Sequence, residues 1–203
     1  MKQVGLLFGS FNPIHLGHLA IADFFIGKNN LSEIWLVVSP QSPFKTNEGL
    51  IEKHHRLAMV ELALNNNQQL KACAEEFKLP SPNYTINTLN HFKEKYPQHQ
   101  FSLILGQDNM VNFDRWKSYE QILEQHQILV YPRSNAIPPS SELLVHPNIT
   151  YCTASLLEIS ATNIRTMLKQ GKVNSEWLPP GVDTCLLYTS PSPRDRQKWS
   201  NPS

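Results

Sequence analysis

A chain of 203 residues suffices for one compact domain with its own core, and 40% hydrophobic with 17% charged residues is the balance of a globular protein. A formal net charge of +1, from 18 basic and 17 acidic residues, excludes broad electrostatic adhesion to nucleic acid or a membrane surface, so any basic cluster must be local. The odd cysteine count, without CxxC spacing among Cys73, Cys152 and Cys185, argues against a disulfide framework or zinc knuckle. No leader pattern and no membrane-length apolar run is visible, so a cytoplasmic location is expected.

In chain order, Val4 to Phe8 reads as a buried strand closed by Gly9-Ser10, and Asn12-Pro13 marks a turn. A helix beginning near Leu16 follows, with Leu19, Ala22, Phe25 and Ile26 at helical spacing. Glu33 to Val38 is a second strand, Gln41 to Gly49 a polar loop, and Ile51 to Leu64 a helix stopped by Asn65-Asn66-Asn67. Leu70 to Ala74 is a third strand, Tyr84 to Lys95 a helix, and Phe101 to Leu105 a strand ending at Gly106. Tyr119 to Glu124 (helix), Ile128 to Tyr131 (strand), Ile149 to Cys152 (strand) and Ser160 to Gln170 (helix) complete the alternation. Runs such as Leu36-Val37-Val38 and Leu103-Ile104-Leu105 are apolar on both faces. The expectation is an α/β fold with a doubly wound, mostly parallel sheet, and with ligands at the carboxyl ends of its strands.

Residues 1–183 are expected to form this domain. Residues 184–203 lose periodicity and read as having no helix or strand. The stretch Cys185 to Asp195 resembles translated sequencing-adaptor sequence, so this segment is expected to be a non-native or disordered tail, with a genuine flexible C-terminus as the alternative.

Two segments carry chemistry. In Gly9-Ser10-Phe11-Asn12-Pro13-Ile14-His15-Leu16-Gly17-His18, a tight turn after a strand leads into a helix whose free N–H groups make an anion site. His15 and His18, three apart, fall on one side, and Gly17 leaves room between them. Alone, an HxGH is also met as a surface loop with two incidental histidines. In Ile159-Ser160-Ala161-Thr162-Asn163-Ile164-Arg165, hydroxyls, amides and a guanidinium at a helix start suit a polyphosphate, although Ser160 is equally a plain N-cap.

The pair of motifs, HxGH after the first strand and ISxTxIR near the end, resembles the nucleotidylyltransferase superfamily, and its spacing resembles the bacterial nicotinate-nucleotide adenylyltransferases over residues 1–182. Ala161 stands where that family commonly has Ser. The resemblance implies a Rossmann-like nucleotidylyltransferase fold and Mg2+-assisted transfer of AMP from ATP to nicotinate mononucleotide in NAD biosynthesis, without a covalent intermediate. It also implies roles. His15, His18, Lys45 and Arg165 would be catalytic. Gly9, Ser10, Phe11, Gly17, Gly106, Asp108, Arg133, Ser160 and Thr162 would bind ATP, and Tyr84, Thr85 and Trp116 the acceptor.

Each assignment has a plainer counterpart. Lys45 is a lysine in a polar loop, Thr85 a helix cap, Trp116 a half-buried core tryptophan, and Arg56 a residue that solvates one helix face. His54, His55 and His126 read as surface residues, and no set of histidines has metal-ligand spacing, so no resident metal site is expected. No activated nucleophile is evident, in keeping with direct transfer between two anions. Sister adenylyltransferases, cytidylyltransferases and a non-catalytic nucleotide-binding module remain the alternatives. ATP and the mononucleotide are the expected partners, with no nucleic acid or membrane and with assembly into a homo-oligomer left open.

Overall fold

The computed structural model describes residues 1–28, 30–41, 49–133, 138–153, 159–170, 172 and 175–189. Six strands, β1 (Lys2–Gly9), β2 (Glu33–Val38), β3 (Leu70–Cys73), β4 (His99–Gly106), β5 (Gln127–Tyr131) and β6 (Ile149–Tyr151), form one sheet in the order β3-β2-β1-β4-β5-β6. Every neighbouring pair is parallel, with Leu6 opposite both Trp35 and Leu103. The chain winds outward from β1 in one direction, then returns to start again at β4. That reversal opens a crevice at the carboxyl ends of β1 and β4, where ligands of such sheets bind.

The helices are α1 (Leu16–Lys28), α2 (Lys53–Leu64), α3 (Thr85–Lys95), α4 (Gln107–Met110), α5 (Tyr119–Gln125), α6 (Ser141–Leu144), α7 (Ala161–Lys169) and α8 (Val182–Thr189). Because side chains alternate along a strand, each apolar strand feeds two cores. Ile34, Leu36, Val38, Ile104 and Leu129 pack on one face with Ala22 and Phe25 of α1, Met59 and Val60 of α2 and Ile164 of α7. Val4, Leu6, Trp35, Val37, Leu103 and Leu105 pack on the other with Ile86, Leu89 and Phe92 of α3. The doubly wound parallel sheet expected from the sequence is present.

Local chemistry sets the helix ends that matter for the site. The Glu52 carboxylate accepts from the N–H groups of His54 (2.7 Å) and His55 (3.4 Å), capping α2, and Asn65 closes it in the left-handed region at φ 42°. Tyr84 precedes α3 and Ser160 precedes α7, and neither side chain caps its helix. The expectation that Thr85 is a cap is therefore corrected: it is the first helical residue.

Three further expectations are corrected. Arg56 solvates nothing; it has 0% exposure. His126 is buried, with Nδ1 3.1 Å from the Phe101 carbonyl, because the turn into β5 packs it under β4. The reading that residues from 184 on carry no helix is corrected for 184–189: they belong to α8, in which Val182 and Leu186, four residues apart, are buried in the core that includes Met59 and Val60 of α2. This short stripe of helical periodicity went unread beside the proline- and serine-rich sequence that follows. The remainder of that tail, residues 190–203, lies outside the described residues.

Candidate active site

A cleft of about 600 Å3 opens at the reversal point of the sheet. This size suits a nucleotide-sized ligand. Its walls come from the segment after β1 (Gly9 to His18), the end of β2 (Ser39), the start of α3 (Asn83 to Thr85), the segment after β4 (Asp108, Trp116), the end of β5 (Tyr131, Arg133) and the start of α7 (Ile159 to Arg165).

The β1–α1 segment turns through Phe11, whose φ of 44° is rare for a bulky residue. Its ring is 1% exposed and meets the His18 ring edge-on, centroids 5.0 Å apart. His15 and His18 stack at 3.7 Å. The His15 N–H donates to His18 Nδ1 at 3.3 Å, so the proton of a neutral His18 sits on Nε2. Burial first, and then the nearby His15 and Arg133 charges, hold His18 well below the ordinary histidine value; burial and Arg133 bring His15 down to about 4. Both rings are therefore neutral N–H donors near pH 7. Gly17 packs closely on the His15 ring: a Cβ there would lie 3.0 Å from His15 Nδ1 and would press on the ring.

The second motif lies against the first. Arg165 donates through Nη1 to the Asn12 carbonyl at 2.8 Å and through Nη2 to Thr162 Oγ1 at 3.1 Å. Asn12 in turn donates through Nδ2 to the Gly49 carbonyl (3.0 Å) and accepts from the Ile51 N–H (3.1 Å). Ser160, Ala161 and Thr162 at the start of α7 line a cleft already carrying imidazole donors, and such a set of hydroxyls, amides and imidazoles suits a polyanion.

At the β4 end, Gly106 permits a close turn, since a Cβ there would collide with Asp108 Oδ1 and lie 3.1 Å from Tyr131. Asp108 and Arg133 face each other at 3.9 Å, both partly exposed, and Arg133 lies over the Tyr131 ring, 5.0 Å from its centroid, while donating to its hydroxyl at 3.1 Å. Among the residues expected from the sequence, Gly9, Ser10, Phe11, His15, His18, Tyr84, Thr85, Asp108, Trp116, Arg133, Ser160, Thr162 and Arg165 all line this one cleft. Gly17 and Gly106 support it from behind. Lys45 lies outside the described residues.

Sequence reading missed Asn83, Glu76 and Lys117. Glu76 is 2% exposed; its Oε1 accepts from Thr88 Oγ1 at 2.8 Å, its main-chain carbonyl accepts from Asn83 Nδ2 at 3.0 Å, and its Oε2 has no partner. Burial raises its carboxyl above the usual range. Lys117 lies 4.7 Å over the Tyr84 ring. The Glu75-Glu76 pair sits in a charged stretch that gives no sign of which carboxylate turns inward. Trp116 packs on Phe113, 5.2 Å between centroids, and also lines the cleft.

A parallel α/β sheet with amide, imidazole and guanidinium donors gathered at its reversal point defines a nucleotide-phosphate-handling protein. Comparison with known proteins refines this. Residues 6–167 match the family model described as cytidylyltransferase-like. A Flavobacterium johnsoniae protein named probable nicotinate-nucleotide adenylyltransferase is 47% identical over 180 residues, covering 89% of this chain and 93% of its own. One of the same name from Cytophaga hutchinsonii is 48% identical over 170 residues, covering 84% and 88%. In fold, the chain is similar to Plasmodium falciparum nicotinic acid mononucleotide adenylyltransferase complexed with NaAD, with a TM-score of 0.77, 23% identity and coverage of 93% and 96%. The chain belongs to the cytidylyltransferase-like family and, within it, to the nicotinate-nucleotide adenylyltransferases.

Proposed function

We propose that this chain transfers AMP from ATP to nicotinate mononucleotide, giving nicotinate adenine dinucleotide and pyrophosphate in NAD biosynthesis. One observation carries the reading: the HxGH imidazoles and the Thr162–Arg165 pair, some 150 residues apart in sequence, bound one cleft, joined by the Arg165–Asn12 hydrogen bond. Membership of the adenylyltransferase family supplies the reaction; the donors that line the cleft support it.

The acceptor's phosphate oxygen attacks the α-phosphorus of ATP, and the bond from that phosphorus to the bridging oxygen breaks as pyrophosphate leaves. The nucleophile is already an anion, so no general base is required. The demand falls on positioning two anions and on stabilising charge at the transferred phosphorus. His18 Nε2–H is the donor for the α-phosphate, with His15 beside it. Ser160, Thr162, the α7 amides and Arg165 hold the β- and γ-phosphates, and Lys45 adds a further cation. Asp108 takes a ribose hydroxyl, with Gly9, Ser10, Phe11 and Arg133 on the nucleotide. Tyr84, Thr85 and Trp116 receive the pyridine ring and its carboxylate.

Among the described residues no group of three or more His, Cys, Asp or Glu side chains is placed to hold a metal ion. Mg2+ would come in on the phosphates of ATP, keeping most of its waters as the ion prefers, and its charge would offset theirs. No helix among the described residues is long and apolar enough to cross a membrane, and the cytoplasm, which supplies ATP, is the compartment this chemistry suits.

The test is pyrophosphate release from MgATP with nicotinate mononucleotide, nicotinamide mononucleotide or phosphopantetheine as acceptor. Highest kcat/KM with the nicotinate form supports the reading. Preference for phosphopantetheine reassigns the chain to a sister activity, and absence of turnover with all three makes it a binding module.

A further inference from the structure

Arg56 is fully buried, yet no carboxylate among the described residues lies within ion-pair distance of it. Its guanidinium is satisfied by four main-chain carbonyls instead. Nε donates to Ile51 at 2.8 Å, Nη1 to Ser10 at 2.5 Å and Ser39 at 2.7 Å, and Nη2 to Pro40 at 2.8 Å. These partners come from the segment after β1, the end of β2 and the lead-in to α2. The Glu52 carboxylate acts on it only through space, so burying this charge is costly, and an apolar side chain would fill the space at lower cost.

The trans geometry of the peptide explains what the charge does there. In a trans peptide the C=O and the following N–H point in opposite directions. With the Ser10 carbonyl drawn in to Arg56, the Phe11 N–H is turned away from it. Ser10, Phe11 and Ser39 line the cleft. Phe11 is also the residue held at φ 44°, a conformation that needs external support.

We propose that Arg56 is a positioning residue for the triphosphate: it clamps the Ser10–Phe11 peptide so that the Phe11 amide faces the phosphates, and it sets its own positive charge beneath them. This rests on the adenylyl-transfer reading above. A lysine keeps the charge but presents no planar fork, so it cannot hold carbonyls from three segments at once.

The experiment uses the full chain and its Arg56→Lys and Arg56→Met variants. Steady-state kinetics are run against ATP and the mononucleotide separately, with circular dichroism and thermal melting alongside. Arg56→Lys is expected to raise KM for ATP or lower kcat at least tenfold, with KM for the mononucleotide changed less than threefold. Arg56→Met is expected to lose more, and guanidinium chloride in the tens of millimolar to restore part of it. In parallel, the Phe11 amide resonance of the unaltered protein is followed during titration with inorganic tripolyphosphate, a readout that does not require either variant to fold. A saturable shift there is expected. A Phe11 resonance that does not move, or a folded Arg56→Lys enzyme with kcat and KM for ATP within threefold of the parent, overturns the proposal. Inactivity of the parent itself sinks the adenylyl-transfer reading instead, and the resonance titration still decides the fate of Arg56.

Discussion

His18 shows how a single main-chain hydrogen bond sets chemistry. The His15 amide occupies Nδ1 at 3.3 Å, so the neutral ring presents Nε2–H and nothing else to the cleft. Removing a donor aimed at developing charge typically lowers turnover by about 10²–10³. His18→Ala should therefore fall by about that factor in kcat, with KM for ATP changed much less, as read by pyrophosphate release. Near-parental turnover removes His18 from the mechanism. The same burial makes the histidines a liability in acid. The unfolded chain protonates His15 below about pH 6.5, whereas the folded chain resists down to about 4. His18 and the buried His126 are shifted in the same direction. The unfolded state thus binds more protons in this window, and stability is lost as pH falls through it. At pH 5.5, His15 alone should cost about 1.4 kcal/mol relative to pH 7.5. The urea midpoint should drop over that interval, and His15→Asn should flatten the slope. Glu33 and Glu75, whose lowered values act only in more acidic solution, do not confound it; Glu76, raised by burial, acts in the opposite sense, so the difference between the parent and His15→Asn is what isolates the histidine.

At the scale of elements, the strands and long helices were legible because each carries its own periodicity. β2 and β4 announced themselves by apolar runs on both faces, and α2 by its asparagine stop. What stayed hidden has physical reasons. The one-turn helices α4 and α6 are too short to show a repeat. A helical period tells which side Arg56 occupies but not that its side is covered by the ends of β1 and β2. Glu76 belongs with these, since its meaning comes only from the elements it joins. It lies in the 3-10 turn Glu75–Lys78, its carboxylate accepts from Thr88 in the first turns of α3, and its main-chain carbonyl accepts from Asn83 just before that helix. The N-terminus of α3 is where the acceptor's ring is placed. Glu76→Ala should loosen that start and raise KM for the mononucleotide about tenfold, a loss of roughly 1.4 kcal/mol in binding. Glu76→Gln, which can keep the Thr88 bond, should recover most of it, and KM for ATP should hold in both. Equal loss for both substrates would mean that Glu76 serves only general stability.

For the whole molecule, the order β3-β2-β1-β4-β5-β6 brings the start and the end of the chain to one crevice. The sequence told which segments carry phosphate chemistry, through residue types at a strand end and a helix start. It could not tell that Arg165 would reach the Asn12 carbonyl, because that contact spans 153 positions and depends on the winding of the entire sheet. This closure has a thermodynamic signature. A triphosphate that touches both segments binds only the assembled fold, so it stabilises the protein by mass action, about 2.7 kcal/mol at a hundredfold excess over Kd. A non-hydrolysable ATP analogue with Mg2+ should raise the melting temperature by several degrees for a domain of this size. Arg165→Ala should remove most of that increment while lowering the ligand-free melting temperature only slightly, because its side chain is partly exposed and makes two hydrogen bonds. His18→Ala should remove less, since a donor that acts chiefly in the transition state adds little to ground-state binding. If the analogue shifts the parent and the Arg165→Ala variant equally, the two ends of the chain do not meet on one triphosphate, and the role given to α7 fails with them.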